Sequence, residues 1–302
     1  MFAGRQLVFA AAGMLLMLPV QVAAQDKLPV VATFSILADI ARNVGGDRVE
    51  VASLVPPDGD AHVYSPSPAD AKTLAAAKLV LINGLGFEGW MDRLVKASAT
   101  RAPVIVASKG IKPRRMEEEK GHGHAHASAD PHAWQSVGNA KVYALNIRDA
   151  LSLVDPAGKD AYRANATAYL AKLDALDREV REAVARIPAD RRRIITTHDA
   201  FGYFADAYKL DFIAPQGVST EAEVSARDLA KIIAQIRKQK IPAVFLENVT
   251  DPRLQKRIAD ETGARIGGTL YSDALTGEKG DAPTYIDMIR HNIRTLGAAL
   301  MS

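Results

Sequence analysis

The feature that most constrains the fold is an alternation of short apolar runs and helix-forming segments, which occurs twice along the chain. In the first half, residues 30–34 and 49–55 are rich in valine, and each run is followed by a segment with helical character. The alternation returns in the second half, for example at residues 193–197 and 243–246. Strands that alternate with helices favour parallel sheets covered on both faces. The sequence therefore predicts an α/β protein with two lobes, each a mostly parallel sheet flanked by helices.

A long periodic segment at residues 159–187 separates the two alternating regions. Its apolar residues recur at steps of three and four, which places them on one face of a helix about 40 Å long. A helical hairpin with an unrecognised break is the alternative. We predict an N-terminal lobe at residues 25–155, a linking helix at 156–187 and a C-terminal lobe at 188–302. The stripe consists of Tyr162, Ala166, Tyr169, Leu173, Leu176, Val180, Val184 and Ile187.

The first 24 residues have the pattern of a secretory signal peptide. Arg5 precedes an apolar stretch at residues 7–20, and small side chains occupy the positions before a predicted cleavage site after Ala24. A membrane anchor is the alternative, but the apolar stretch is short for a bilayer span. The sequence contains no cysteine. We therefore expect a protein without a lipid anchor or disulfides, located in the periplasm, with any transition-metal site built from histidine and carboxylate.

The charge distribution argues against nucleic-acid binding. The formal net charge is only +3, and the basic groups at residues 112–115 and 191–193 are short and lack interleaved aromatic residues.

Residues 112–131 interrupt the α/β rhythm with three glutamates and with His122, His124 and His126 at alternate positions. Such a composition cannot bury a core, so we predict a mobile surface loop. The histidines suggest an accessory metal-capture loop that takes zinc from solution or from a periplasmic metallochaperone. A solvated loop with incidental histidines is the alternative.

Three other histidines follow predicted strands or turns at their ends. His62 lies in a segment where Gly59 permits a turn, His132 follows a proline, and His198 comes directly after an apolar run. Ligands of open α/β sheets bind at the carboxyl ends of strands, so these side chains are expected to converge between the lobes. Asp199 is expected to cap the next helix.

A fourth ligand is needed for a closed tetrahedral site, and Asp273 is the best oxygen donor after a later strand. A turn carboxylate is the alternative interpretation of Asp273. Three imidazoles and one carboxylate suit zinc better than calcium or magnesium, and manganese usually prefers more oxygen ligands.

Four ordered motifs resemble those of the periplasmic zinc- and manganese-binding proteins of ABC importers. The resemblance covers the mature chain, and the Azt-type zinc-binding components are the most similar in appearance. It implies two lobes bridged by a rigid helix, metal in the cleft, and delivery to a membrane permease driven by a cytoplasmic ATPase. In that family the third position is histidine in zinc-type members, which is His198 here. The motifs are at residues 59–66, 130–134, 197–201 and 272–275.

The sequence predicts zinc import by a monomeric binding protein, and it leaves several alternatives. These are a manganese importer component, a periplasmic zinc store or chaperone, a surface adhesin and a zinc hydrolase. Hydrolysis is disfavoured because four protein ligands would fill the zinc tetrahedron, and because a structural role is expected for Glu247, the nearest candidate base. The sequence therefore predicts a binding protein that is not an enzyme.

Overall fold

The computed structural model describes residues 26–115, 129–221 and 224–301, and these form two lobes. Each lobe contains a four-stranded parallel sheet, and the two strand orders are β2-β1-β3-β4 and β6-β5-β7-β8. The predicted fold class is therefore confirmed. The strands are β1 Leu28–Ala32, β2 Val49–Ser53, β3 Leu79–Ile82, β4 Val104–Val106, β5 Arg193–Ile195, β6 Asp211–Ile213, β7 Ala243–Glu247 and β8 Arg265–Leu270.

Helices connect the strands and cover the sheet faces. The central strands are apolar on both faces because each sheet is covered on both sides. In β3, for example, Leu79, Val80 and Leu81 are all fully buried. The helices are α1 Ser35–Gly45, α2 Pro68–Ala76, α3 Met91–Ser98, α4 Val137–Val154, α5 Lys159–Ala185, α6 Gly202–Tyr208, α7 Ala226–Gln239, α8 Arg253–Thr262 and α9 Tyr285–Met301.

Helix α5 is continuous over 27 residues, so the helical-hairpin alternative is wrong. Seven members of the predicted stripe lie on this helix and are buried, and Ile187 is buried just beyond its end. The stripe packs on α4 and α1 of the N-terminal lobe and on α9 of the C-terminal lobe. One helix therefore shares its apolar face between both lobes.

Local capping explains where two helices begin. Ser67 and Asp70 form a capping box at α2, with Pro68 in the first helical position. Ser225 accepts a hydrogen bond from the Asp228 backbone N–H at the start of α7. The predicted cap at Asp199 is wrong, because α6 begins later, at Gly202, without a side-chain cap.

The lobes are joined by direct hydrogen bonds as well as by α5. The indole N–H of Trp134 donates to the Ser272 carbonyl oxygen at 2.9 Å, and the Leu275 N–H donates to Ser35 Oγ at 2.9 Å. The start of α9 is held by Asp39, whose Oδ2 accepts the Tyr285 N–H at 2.9 Å.

Two sequence predictions fall outside the residues that the structure describes. These are the signal peptide at residues 1–24 and the loop histidines His122, His124 and His126. None of the described helices is both long enough and apolar enough to span a bilayer.

Candidate metal centre

His62, His132, His198 and Asp273 converge between the lobes. Each offers one ligand atom, and the four atoms all lie within 4.8 Å of one another. The Nε2 atom of His62 is 3.2 Å from His132 Nε2 and 3.2 Å from Asp273 Oδ2. The Nε2 atom of His198 is 3.1 Å from the same carboxylate oxygen. Within the described part of the chain, no other group of three or more histidine or acidic side chains is arranged to hold a metal ion.

His62 is presented by the segment that follows β2. The chain turns at Gly59, as the sequence predicts, and the Gly59 N–H donates to the Pro56 carbonyl oxygen at 3.1 Å. The residue with positive φ in this turn is Asp58, and Gly59 permits the close approach of the chain, since a Cβ there would lie 2.9 Å from the Pro56 carbonyl oxygen. The His62 backbone N–H donates to Asp60 Oδ1 at 2.9 Å. The His62 side chain keeps 6% exposure, whereas the other three proposed ligand side chains are fully buried.

His132 lies immediately before a short 3-10 turn that leads into α4. Asp130 Oδ1 accepts the His132 backbone N–H at 3.0 Å and lies 2.9 Å from the ring Nδ1. Asn83 donates to the Pro131 carbonyl oxygen between them at 2.9 Å. The other Asp130 oxygen lies 3.3 Å from the Arg114 guanidinium. This arrangement directs His132 Nε2 toward the cleft.

His198 follows β5 and is held by Glu247 at the end of the neighbouring strand β7. Glu247 Oε1 accepts the backbone N–H groups of Thr197 at 2.6 Å and His198 at 3.0 Å. Glu247 Oε2 lies 2.5 Å from His198 Nδ1. Glu247 therefore faces the side of the ring away from the cleft, which does not fit the role of a general base.

Asp273 follows β8, and both of its oxygens face the imidazoles. Oδ2 contacts His62 and His198, and Oδ1 lies 3.6 Å from His132 Nε2. Oδ1 is buried and has no hydrogen-bond partner among the described residues. The site therefore offers three nitrogen and two oxygen atoms to a cation.

Aromatic side chains close the apolar side of the site. The Phe87 ring lies edge-on to His62, with centroids 4.7 Å apart, and the Trp134 ring lies 5.3 Å from His132. Phe87 stands after a turn in which Gly84, Leu85 and Gly86 all have positive φ. Helix α3 begins only after this turn, at Met91.

The charges of the site are strongly coupled. Burial lowers the pKa of His132, but attraction to Asp273 and the contact with Asp130 outweigh burial and raise the pKa to about 9. Burial likewise opposes protonation of His198, yet Glu247 and Asp273 raise its pKa well above the ordinary value. Burial alone would raise the pKa of Asp273, but the neighbouring His198 and His132 hold it well below its usual range.

Sequence reasoning brought the four proposed ligands together but did not assign the residues that hold them. In the sequence Asp130 stands out only as part of a motif, and Glu247 is a candidate base for which a structural role is expected without a named partner. The signal for Asp130 was its position two residues before His132, a spacing at which an aspartate accepts a nearby backbone N–H.

Comparison with known proteins gives the family. The family model described as "Zinc-uptake complex component A periplasmic" (ZnuA) matches residues 30–299. The chain belongs to this family. It is therefore a metal-binding, extracytoplasmic substrate-binding protein of the ABC importer class, and such proteins work with a permease and an ATPase.

Relatives within the family are named for different metals. The iron-binding protein YfeA of Yersinia pestis is 39% identical over 270 residues, covering 89% of this chain and 85% of the relative. The manganese ABC transporter substrate-binding lipoprotein PsaA of Streptococcus pneumoniae is 33% identical over 281 residues, covering 91% and 89%. Family membership therefore establishes metal binding without choosing the metal.

Solved structures agree with the fold. The periplasmic zinc binding protein TroA of Treponema pallidum superposes with a TM-score of 0.85 at 33% identity, covering 91% of this chain and 99% of that chain. The Mn-bound periplasmic metal binding protein of Candidatus Liberibacter asiaticus superposes with a TM-score of 0.81 at 30% identity, covering 91% and 100%.

Proposed function

We propose that this protein captures Zn²⁺ with His62, His132, His198 and Asp273 and delivers it to an ABC permease. The observation that carries the proposal is the convergence of four ligand atoms within 4.8 Å, from side chains supplied by both lobes. Three imidazole nitrogens and one carboxylate oxygen make a complete tetrahedral zinc set. The 6% exposure of His62 suggests that the ion enters on that side of the site.

Manganese is the second candidate. Both oxygens of Asp273 face the site, and a bidentate carboxylate would raise the number of donors to five. A larger share of oxygen suits manganese better than zinc. The relative PsaA, which is named for manganese, supports the same alternative.

The test is a competitive titration of the metal-stripped protein with Zn²⁺ and Mn²⁺, followed by elemental analysis of protein isolated from its native compartment. We expect one ion per chain, zinc to displace manganese, and zinc in the native protein. Tighter manganese binding together with manganese in the native protein would contradict the zinc assignment.

We propose that the mature protein is a free periplasmic monomer, released by cleavage after Ala24. The apolar stretch and small residues before Ala24 support cleavage, and the absence of cysteine supports a form without a lipid anchor. Mass spectrometry of the native protein tests this, since it should show an unmodified chain that begins at Gln25. Sedimentation should give the mass of one chain.

A periplasmic zinc store is the alternative to import. Deletion of the gene should reduce zinc accumulation by cells grown under zinc limitation. Normal uptake with a smaller periplasmic zinc pool would favour storage instead.

We propose that the segment with His122, His124 and His126 assists capture, from solution or from a metallochaperone. An antiparallel bridge between Arg115 and Ala129 brings the ends of this segment together next to Asp130. Deletion of residues 117–127 should slow metal acquisition more than it weakens final affinity. If the deletion changes neither the rate of metal transfer nor the stoichiometry, this segment has no role in metal capture.

We propose that the protein is not an enzyme. Glu247 contacts the backbone and ring of His198 instead of facing the cleft, so this carboxylate is not placed to act as a base at the proposed zinc position. Ester or phosphate hydrolysis that disappears on chelation would overturn this proposal.

A further inference from the structure

Two of the three proposed imidazole ligands share a supporting arrangement. Asp130 contacts both the backbone N–H and the ring Nδ1 of His132. Glu247 does the same for His198, at 3.0 Å to the backbone nitrogen and 2.5 Å to Nδ1. All four of these side chains are fully buried. Each carboxylate thus holds both the backbone and the ring orientation of one histidine.

The contact between Glu247 and the His198 ring involves two atoms that have no other hydrogen-bond partner among the described residues. His198 Nδ1 and Glu247 Oε2 are both buried, and neither has a hydrogen-bond partner elsewhere in the described parts of the chain. A buried ring N–H and a buried carboxylate oxygen without partners would each carry a desolvation cost of several kcal/mol. We therefore expect the ring N–H at His198 Nδ1 to interact with Glu247 Oε2.

His62 lacks this support. Its backbone N–H is held by Asp60, but its ring is within ion-pair distance of no carboxylate except Asp273 in residues 26–115, 129–221 and 224–301. The other neighbours of the ring are the Phe87 ring and the rings of the two other proposed ligand histidines. The two kinds of histidine differ in the chemistry at Nδ1 as well as in exposure.

A carboxylate at Nδ1 has two consequences for a metal-binding imidazole. It keeps one proton on Nδ1, so that Nε2 is the atom that gives up its proton to bind the metal, and it makes the ring a stronger donor. Nitrogen donors contribute more to zinc than to manganese, which relies more on oxygen ligands. A stronger imidazole donor should therefore favour zinc selectively.

We propose that Glu247 and Asp130 are positioning residues that set the preference for zinc over manganese by strengthening His198 and His132. This inference rests on the proposed function, because it takes the two histidines as ligands. A purely electrostatic effect of the two carboxylates would act on both divalent ions to the same extent.

The experiment compares Glu247→Gln and Asp130→Asn with a control, Asp39→Asn. Asp39 is also a buried carboxylate that accepts a backbone N–H, but it contacts none of the proposed ligands. Zinc and manganese affinities are measured on each variant by calorimetric competition. Thermal unfolding of the metal-free proteins confirms that each variant folds.

We expect each of the two test substitutions to lower zinc affinity by about ten- to a hundredfold and manganese affinity by less than about tenfold. The control should change neither affinity. Equal losses for the two metals, or no loss, would overturn the proposal. If one variant does not fold, the other still decides the result, because the two carboxylates serve different histidines.

A spectroscopic readout separates positioning from general structural support. In the zinc-loaded wild type, the slowly exchanging Nδ1–H protons of His132 and His198 should give downfield ¹H signals coupled to ring ¹⁵N. Glu247→Gln should move or remove the His198 signal only. Unmoved ring signals in this variant would contradict the proposal. Failure of the wild type to bind either metal would instead refute the proposed function, so the two failures are distinguishable.

Discussion

At the scale of single residues, the proposed ligands differ in how firmly each is held. His132 and His198 are fully buried and contact carboxylates at Nδ1, while His62 keeps some exposure and relies on Asp60. Asp273 sits on a segment bonded to the opposite lobe through the Ser272 carbonyl oxygen. The most mobile donor is therefore expected to be His62.

The first prediction concerns ligand removal. His62→Ala, His132→Ala and His198→Ala should each weaken zinc binding more than about a hundredfold, since loss of a direct ligand should exceed the effect of losing an outer contact. His291→Ala is the matched control, because His291 lies in α9 and bonds the Thr269 carbonyl oxygen away from the cleft. Calorimetry that finds wild-type affinity in any of the first three variants would remove that residue from the site.

The second prediction concerns pH. A metal ion must displace the protons of His132, whose pKa is about 9, and of His198, whose pKa is also raised. Affinity should therefore rise with pH up to about 9, beyond the ordinary histidine range, and binding at pH 7 should release protons. Titrations in buffers with different ionisation enthalpies measure this release. Binding without proton release at pH 7 would contradict the prediction.

At the scale of elements, the apolar periodicity of α5 is readable from the sequence because it depends only on residues three and four positions apart. The cap expected at Asp199 is wrong, because the start of α6 is not fixed by that residue. The support of His198 was not readable, because Glu247 lies 49 residues away on another strand. Strand pairing that places two distant side chains together depends on the whole sheet.

The proposed ligands were only partly predictable from local sequence. His62, His132 and His198 were recognisable from turns that follow predicted strands, and Asp273 depended more on resemblance to a family. The turn at Gly59 is predicted from the sequence, but the positive φ at Asp58 and the close approach of Gly59 to the Pro56 carbonyl oxygen are seen only in the structure.

The third prediction concerns the junction of α1 and α9, where Asp39 accepts the Tyr285 N–H. Burial raises the pKa of Asp39 to about 6, against the lowering effects of the Tyr285 hydrogen bond and of Arg42. The folded state thus binds this proton more tightly than the unfolded chain. Its contribution to the free energy of unfolding is full below about pH 4 and is lost as pH rises through about 6, at most about 3 kcal/mol.

Asp39→Asn should remove that pH dependence and match or exceed wild-type stability above pH 7. Chemical unfolding of both proteins between pH 4 and 8, in the presence of a chelator, measures the difference. Parallel pH profiles for the two proteins would show that Asp39 does not titrate in this range.

At the scale of the whole molecule, the proposed metal position connects the lobes. His62 and His132 come from the N-terminal lobe, and His198 and Asp273 come from the C-terminal lobe. The lobes also share α5 and the hydrogen bonds around Ser272 and Leu275. A bound ion would add a further link to an interface that is already formed.

The fourth prediction follows from that linkage. Free zinc at about 100 times its dissociation constant should stabilise the folded protein by about 2.7 kcal/mol, and Tm should rise further with zinc concentration. Differential scanning calorimetry measures the shift, with His291→Ala as a variant that retains it. A Tm independent of zinc in the wild type would contradict binding to the folded state.

The most direct test of the four-residue site is X-ray absorption at the zinc edge of the zinc-loaded protein. The account predicts nitrogen and oxygen ligands at about 2.0–2.2 Å, with outer-shell scattering from three imidazole rings. Fewer than three imidazoles, or a shell of six oxygen ligands, would contradict it.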